Sequence, residues 1–275
     1  MRRRLVFLDI DGTLTPPGSN RVPESAREAI RLARAAGHGL FLCTGRNRGM
    51  LLPVYESCGF DGAVGSAGGY VFWGERLLFD CPMTREQLDT ALRALRAGEV
   101  YVNVETRDDS FCDRGVAEFL AASAGGNSEL LRWRRQLEEE LGFRPMAEYD
   151  GRPVYKILFS CARPEQLAPA RAALEKDFFF LVHDDPAAGC LNGEIINRRF
   201  DKGRGVRRIA EACGMPLADT VGFGDSMNDR EMILTVGTGV CMANGSEALK
   251  AMSALVCPAV EEDGLALAFS TLGLI

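Results

Sequence analysis

The stretch that most constrains this chain is Leu5-Val6-Phe7-Leu8-Asp9-Ile10-Asp11-Gly12-Thr13-Leu14-Thr15. It begins as an apolar run of Val, Phe and Leu, the pattern of a strand buried on both faces. Two carboxylates follow at i and i+2. A strand period of two puts Asp9 and Asp11 on the same side, close enough to share one ion. Gly12 lets the backbone turn sharply straight afterwards. Acids at the carboxyl end of a buried strand stand where open α/β sheets bind ligands. The other reading of the Asp-Gly pair is an Asx-turn that merely takes the strand out of its sheet.

The rhythm downstream is that of a parallel sheet with crossover helices. Pro23 to Ala36 has helical spacing and stops at Gly37. Gly39 to Cys43 is a second apolar run, ending in Thr44-Gly45-Arg46. Asn47 to Ser57 reads as a helix interrupted near Pro53, and Tyr70 to Phe79 as a hairpin turning at Gly74-Glu75. The character changes near Cys81-Pro82. Thr84-Arg85-Glu86-Gln87 is a capping box that opens a helix to about Arg96. Val100 to Glu105 alternates like a half-exposed strand. Asp113 to Ser123 and Ser128 to Leu141 have helical spacing, with Gly125-Gly126-Asn127 as a loop between them. Strand patterns at Pro153–Ser160 and Phe178–His183 flank a helix at Pro164–Lys176. This alternation suits an antiparallel sheet with helices on one face.

From about Glu194 the first rhythm returns: a helix at Lys202–Cys213, a buried strand at Thr220–Gly224, then Asp225-Ser226-Met227-Asn228-Asp229. The chain is therefore expected to be α/β: a Rossmann-like parallel-sheet core over 1–81 and 191–275, with an α+β insert over 82–190.

Composition narrows the function. With 47% hydrophobic and 25% charged residues, 275 residues make a globular protein of one large domain or two. A net charge of −6 and a pI near 5.2 argue against a nucleic-acid partner, which needs a basic face. Only four apolar residues separate Arg2-Arg3-Arg4 from Asp9, too few for a signal peptide. No run approaches the ~18 apolar residues of a membrane span. Nine cysteines without C-x-x-C spacing read as reduced residues of a cytoplasmic protein. The two histidines, His38 and His183, are expected to be structural or solvated.

Four pieces stand at strand ends or helix starts: Asp9/Asp11, Thr44, Lys202 and Asp225/Asp229. In a parallel sheet these ends meet at one edge. Carboxylate oxygens with water suit Mg²⁺, which commonly pairs with phosphate. A lysine and backbone N–H groups beside them suit a phosphoryl group, whose charge must be neutralised as it transfers.

In that order the pieces resemble the haloacid dehalogenase-like superfamily, in its Cof-type branch of sugar-phosphatase-like hydrolases with a large α/β cap. Asp9-Ile10-Asp11-Gly12-Thr13-Leu14-Thr15 matches the first motif, Cys43-Thr44-Gly45-Arg46 the second and Lys202-Gly203 the third. Gly224-Asp225-Ser226-Met227-Asn228-Asp229 matches the fourth. Met242-Ala243-Asn244-Gly245 and Glu262-Asp263-Gly264-Leu265 extend the likeness to the whole chain. Two departures stand out: Ala67-Gly68 where the branch often has Asn-Gly, and Gly245 where Ala is usual.

The resemblance implies a phosphoric monoester hydrolase acting on a small phosphorylated metabolite, a sugar phosphate above all. Asp9 is then the nucleophile, and Asp11 the acid and base. Thr44 and Lys202 bind phosphoryl oxygens, helped by backbone N–H groups around Ile10–Gly12 and Gly45. Gly45, Arg46 and Asn228 serve substrate binding. Mg²⁺ is held by Asp9, the carbonyl of Asp11, Asp225 and Asp229. The cap is expected to close over the site, with Lys156, Asn192, Arg152 and His183 as candidate contacts. A monomer or small homo-oligomer in the cytoplasm is expected, with no membrane partner. The alternatives are a sugar phosphomutase and a catalytically silent ligand-binding module of the same fold.

Overall fold

A computed structural model describes residues 2–17, 19–115, 143–185 and 190–275. The chain divides into two compact units. One comprises Met1–Arg46, Leu51–Asp80 and Phe200–Ile275, the other Asn47–Met50 and Cys81–Arg199. Most of the helix expected over 113–123, the helix at 128–141 and the loop at 125–127 lie outside the described residues.

The first unit is built on an eight-stranded sheet. Six strands run parallel: β1 (Leu5–Leu8), β2 (Gly39–Cys43), β3 (Gly62–Gly65), β12 (Thr220–Gly224), β13 (Thr238–Met242) and β14 (Leu255–Cys257). The hairpin β4 (Tyr70–Trp73) and β5 (Arg76–Asp80) adds two antiparallel strands at one edge, giving the order β14-β13-β12-β1-β2-β3-β4-β5. Alternation along β1 divides the core. Val6 and Leu8 pack with Ala26, Ile30 and Ala33 of α1 (Glu24–Ala35) and Leu265 and Phe269 of α7 (Gly264–Thr271). Leu5 and Phe7 face the other way, onto Val206 and Ile209 of α5 (Lys202–Ala212) and Met232 of α6 (Arg230–Thr235). Covered on both faces, β1 needs an apolar residue at every position, which is why it reads as a run rather than an alternation. The helix α2 (Arg48–Cys58) runs through Pro53 without the expected interruption. His38 is structural, its Nδ1 accepting the Arg4 N–H at 3.0 Å.

The second unit carries a six-stranded sheet of order β10-β11-β9-β6-β7-β8. Its strands are β6 (Tyr101–Thr106), β7 (Ser110–Cys112), β8 (Phe143–Pro145), β9 (Val154–Cys161), β10 (Phe178–Asp185) and β11 (Cys190–Asn197). All pairings are antiparallel except β7 with β8. One face packs through Val102, Val104, Ile157, Phe159 and Ile195 onto Leu88, Ala91 and Leu95 of α3 (Arg85–Ala97) and Ala170 and Leu174 of α4 (Ala168–Leu174). Thr84 caps α3, its side chain accepting the Gln87 N–H as the capping box requires.

Two expectations are corrected here. The insert does not return to the first sheet at 191, because β11 pairs with both β9 and β10 and holds the chain in the second unit to Arg199. Nor is β6 half exposed, since Val102 to Thr106 are all buried, polar residues included.

Candidate active site

The strand β1 ends at Leu8, and the chain then folds onto a single acceptor. The Ile10 carbonyl takes the N–H groups of Thr13, Leu14 and Thr15 at 3.3, 3.0 and 2.9 Å. Gly12 sits in this turn at φ 85°, in the left-handed region, and a Cβ there would lie 2.6 Å from Asp225 Oδ2. Glycine therefore supplies both the turn and the close approach of Asp225. At its far side the Asn244 amide nitrogen donates to the Gly12 carbonyl at 2.7 Å.

Lys202 is the first residue of α5. Asp201 caps that helix by accepting the Arg204 N–H at 2.7 Å, which starts the helix with the Lys202 side chain buried against the sheet. Its ammonium donates to Asp9 Oδ1 at 2.8 Å, Asp229 Oδ1 at 2.5 Å and Asn228 Oδ1 at 3.2 Å. Beyond β12, Asp229 is fully buried, and its Oδ2 accepts the N–H groups of Asp225 and Ser226 at 3.0 and 3.2 Å. Asp225 Oδ1 accepts the Thr13 hydroxyl at 3.3 Å. The sheet thus brings Asp9, Lys202, Asp225, Asn228 and Asp229 into one cluster from three separate stretches of sequence.

The charges there are out of balance. Burial, reinforced by Asp229 and Asp11 and opposed by Lys202, pushes Asp9 up to about 7. Burial, then Asp229 and Asp9, raise Asp225 to about 9 against the pull of Lys202 and of the Thr13 hydrogen bond. For Lys202 burial disfavours the charge, and the carboxylates of Asp229 and Asp9 outweigh it, holding the ammonium well above its usual range. Three buried carboxylates, when ionised, outweigh the one ammonium by two charges. Asp9, Asp225 and Asp229 each offer an oxygen within 4.8 Å of the others, an all-oxygen donor set that fits a hard divalent cation such as Mg²⁺.

Thr44 is buried at the end of β2, its hydroxyl accepting the Arg46 N–H at 3.1 Å. The Thr44 and Arg46 carbonyls are held by the N–H groups of Ala67 and Ser66. Ser66, Ala67 and Gly68 are all left-handed, at φ 49°, 57° and 107°. Ala67 stands where the resembled branch often carries Asn, a residue that tolerates this conformation better.

Two expected site residues have side chains held by each other. The carboxylate of Asp11 does not join the three-aspartate group, because the strand period stops at Leu8 and the turn sends this side chain to Arg46. Arg46 in turn is committed to Asp11, to Asn20 Oδ1 at 2.5 Å and to the Ser19 carbonyl at 3.1 Å. Gly45 lies between Thr44 and Arg46, half-buried. Sequence reasoning gave no role to Thr13 or Asn244, although both lie inside quoted motifs. Their signal was a hydroxyl and an amide at strand exits, where buried polar groups need partners.

The model of the haloacid dehalogenase-like hydrolases matches residues 6–269. YkrA of Bacillus subtilis (strain 168), provisionally named a phosphatase, is 26% identical over 275 residues, covering 100% of both chains. Pyridoxal phosphate phosphatase YbhA of Escherichia coli (strain K12) is 25% identical over 278 residues, covering 93% of each. A solved structure of a hypothetical protein from Geobacillus kaustophilus HTA426 superposes with a TM-score of 0.83 at 25% identity, over 100% of both chains. With a family match across almost its whole length, the chain belongs to the haloacid dehalogenase-like hydrolases.

Proposed function

We propose that the chain is a Mg²⁺-dependent phosphatase that hydrolyses small phosphate monoesters through an aspartyl-phosphate on Asp9. The observation that carries this reading is the buried group of Asp9, Asp225 and Asp229 around the Lys202 ammonium. The phosphatase names of the relatives support it. When bound, Mg²⁺ supplies positive charge to the phosphoryl oxygens, and Asp9, Asp225, Asp229 and the Asp11 carbonyl are the groups that would hold it.

Asp9 attacks phosphorus, a new P–O bond forms to its carboxylate, and the ester P–O bond breaks. Asp11 gives a proton to the departing alcohol oxygen, then takes one from the water that cleaves the aspartyl-phosphate. Lys202 orients Asp9 and favours its charged form against burial through the 2.8 Å contact. In this reading Thr44, Gly45 and Asn228 hydrogen-bond the phosphoryl group. Besides its place in the metal-holding group, Asp229 positions Lys202 through Oδ1 and the Asp225 loop through Oδ2.

A sugar phosphate is our proposed substrate class. A cytoplasmic setting and a monomer or small homo-oligomer complete the proposal; the eight described cysteines are free thiols, as a reducing compartment keeps them. Among the described residues no helix is long and apolar enough to cross a membrane.

The test is Mg²⁺-dependent phosphate release from p-nitrophenyl phosphate and a panel of phosphorylated metabolites. Free phosphate that disappears in excess chelator supports the reading. An isomerised sugar phosphate without free phosphate identifies a mutase instead, and no turnover on any ester identifies a silent binding module.

A further inference from the structure

The turn Met242-Ala243-Asn244-Gly245-Ser246 after β13 ties together the exits of three neighbouring strands. In the order β13-β12-β1, β13 stands two strands from β1, about 10 Å away at the usual strand spacing. The ladder between β1 and β12 ends where the Asp9 N–H meets the Phe223 carbonyl at 3.0 Å, so pairing of these two strands no longer fixes Gly12 or Asp225. Three other bonds do. The Asn244 amide donates to the Gly12 carbonyl at 2.7 Å, the Ser246 N–H to the Asp225 carbonyl at 2.8 Å, and the Thr13 hydroxyl to Asp225 Oδ1 at 3.3 Å. Asn244 Oδ1 is itself held by the N–H of Val260, a core residue, at 3.2 Å. A carbonyl only accepts and an N–H only donates, so the Asn244 amide has one orientation here. The turn closes with the Gly245 N–H on the Met242 carbonyl at 2.9 Å, and a Cβ at Gly245 would lie 2.7 Å from the Asp225 carbonyl oxygen. Glycine thus lets the turn lie directly against the Asp225 backbone.

Mg²⁺ takes oxygen ligands at roughly 2.0–2.1 Å in near-octahedral geometry, whereas Ca²⁺ accepts longer and looser arrangements. A shift of Asp225 against the Asp9–Gly12 turn, in either direction, therefore penalises Mg²⁺ more. We propose that Asn244 and the Ser246 N–H are positioning groups for cation choice, bracing the Gly12 turn and the Asp225 loop at the separation a small divalent ion requires. Asn244 is exposed and acts through peptide planes rather than as a ligand. The Gly12 carbonyl it holds is one peptide beyond the Asp11 carbonyl, and the Gly12 N–H of the peptide between them is fixed on the Thr15 carbonyl at 2.8 Å. The inference rests on the reading of Asp9, Asp225 and Asp229 as Mg²⁺ ligands and adds what sets their spacing.

The experiment titrates the melting temperature with Mg²⁺ and, separately, with Ca²⁺, which gives each dissociation constant without turnover. Three variants are compared with wild type. Asn244→Ala removes one brace at an exposed position. Ser246→Pro removes the other, since Ser246 at φ −68° already has the backbone angle of proline. Ser246→Ala keeps the N–H and loses only the side-chain cap that accepts the Leu249 N–H, so it reports the structural cost alone. Asn244→Ala and Ser246→Pro should weaken Mg²⁺ about tenfold and Ca²⁺ about threefold or less, with both constants unchanged in Ser246→Ala. Should the proline variant fail to fold, Asn244→Ala decides alone. Both cations weakened by the same factor, or neither weakened, in folded Asn244→Ala overturns the inference. A wild type that binds neither cation overturns the metal reading and the brace with it. A wild type that binds Mg²⁺ but releases phosphate from no ester overturns the phosphatase reading, and the brace then stands or falls on the two constants.

Discussion

Arg46 grips the carboxylate of Asp11 with two prongs, Nε to Oδ2 at 2.9 Å and Nη2 to Oδ1 at 2.7 Å, in a pair almost closed to solvent. Such a fork fixes the plane of a carboxylate as no lysine can. In the mechanism we propose, Arg46 acts on the leaving-group step by fixing where the Asp11 carboxylate stands.

Replacing Arg46 with Lys keeps the charge and removes the fork. We expect kcat to fall about tenfold with an alkyl phosphate, whose alkoxide needs protonation, and by less with p-nitrophenyl phosphate, whose phenolate leaves unaided. Steady-state kinetics with both substrates check this. Equal losses on the two would separate Arg46 from the proton transfer.

Burial raises Asp9 from 3.8 to about 7 and Asp225 from 3.8 to about 9. An acid whose pKa is higher folded than unfolded adds stability that is complete below the unfolded value and drains away as pH rises through the folded one. Metal-free protein should therefore lose thermal stability as pH climbs from about 4 through 7 towards 9. The rise in Tm on adding Mg²⁺ should grow over the same interval. Thermal melts in chelator and in Mg²⁺ across that range test both halves; a Mg²⁺ effect independent of pH would contradict them.

Lys202 is the one ammonium between Asp9 and Asp229. Changing it to Met leaves buried carboxylates facing each other, at a cost of about 3–5 kcal/mol. Urea unfolding above neutral pH should show this loss, and a smaller one in mild acid where the carboxylates take up protons. A variant as stable as wild type at both pH values would refute the electrostatic picture of the cluster.

At Ala67 the backbone is left-handed at φ 57°. Asn adopts that region more readily than Ala, so Ala67→Asn should stabilise the fold by about 0.5–1 kcal/mol. A denaturation midpoint that falls instead would mean the Asn side chain clashes in the Thr44–Arg46 loop.

How much of this was readable beforehand follows from what each residue answers to. Asp9, Lys202 and Asp225 were placed from sequence because a buried strand or a helix start fixes its own end, and parallel strands carry those ends to one edge. The direction of Asp11 was not, because it depends on the strand stopping at Leu8 and on a turn gathered by one carbonyl, Ile10. Arg46, expected from sequence to serve substrate binding, is held by Asp11 and Asn20, both too distant in sequence to be read as its partners. The boundary at Phe200 was hidden for a similar reason. The segment Cys190–Asn197 has no local mark of belonging to β9 and β10 rather than to the first sheet. Asn103 and Glu105 read as solvent-facing because alternation reports polarity, and a buried polar face has the same pattern as a wet one.

The central claim is that Asp9 carries the phosphoryl group. The direct measurement uses Asp11→Asn with p-nitrophenyl phosphate and Mg²⁺, since that leaving group departs without an acid while the second step lacks its base. Quenching in acid, digestion and mass spectrometry should find a phosphoryl group on the peptide containing Asp9, and none when Asp9→Asn is added. Turnover that persists in Asp9→Asn, or a phosphoryl group found on another residue, would contradict the account.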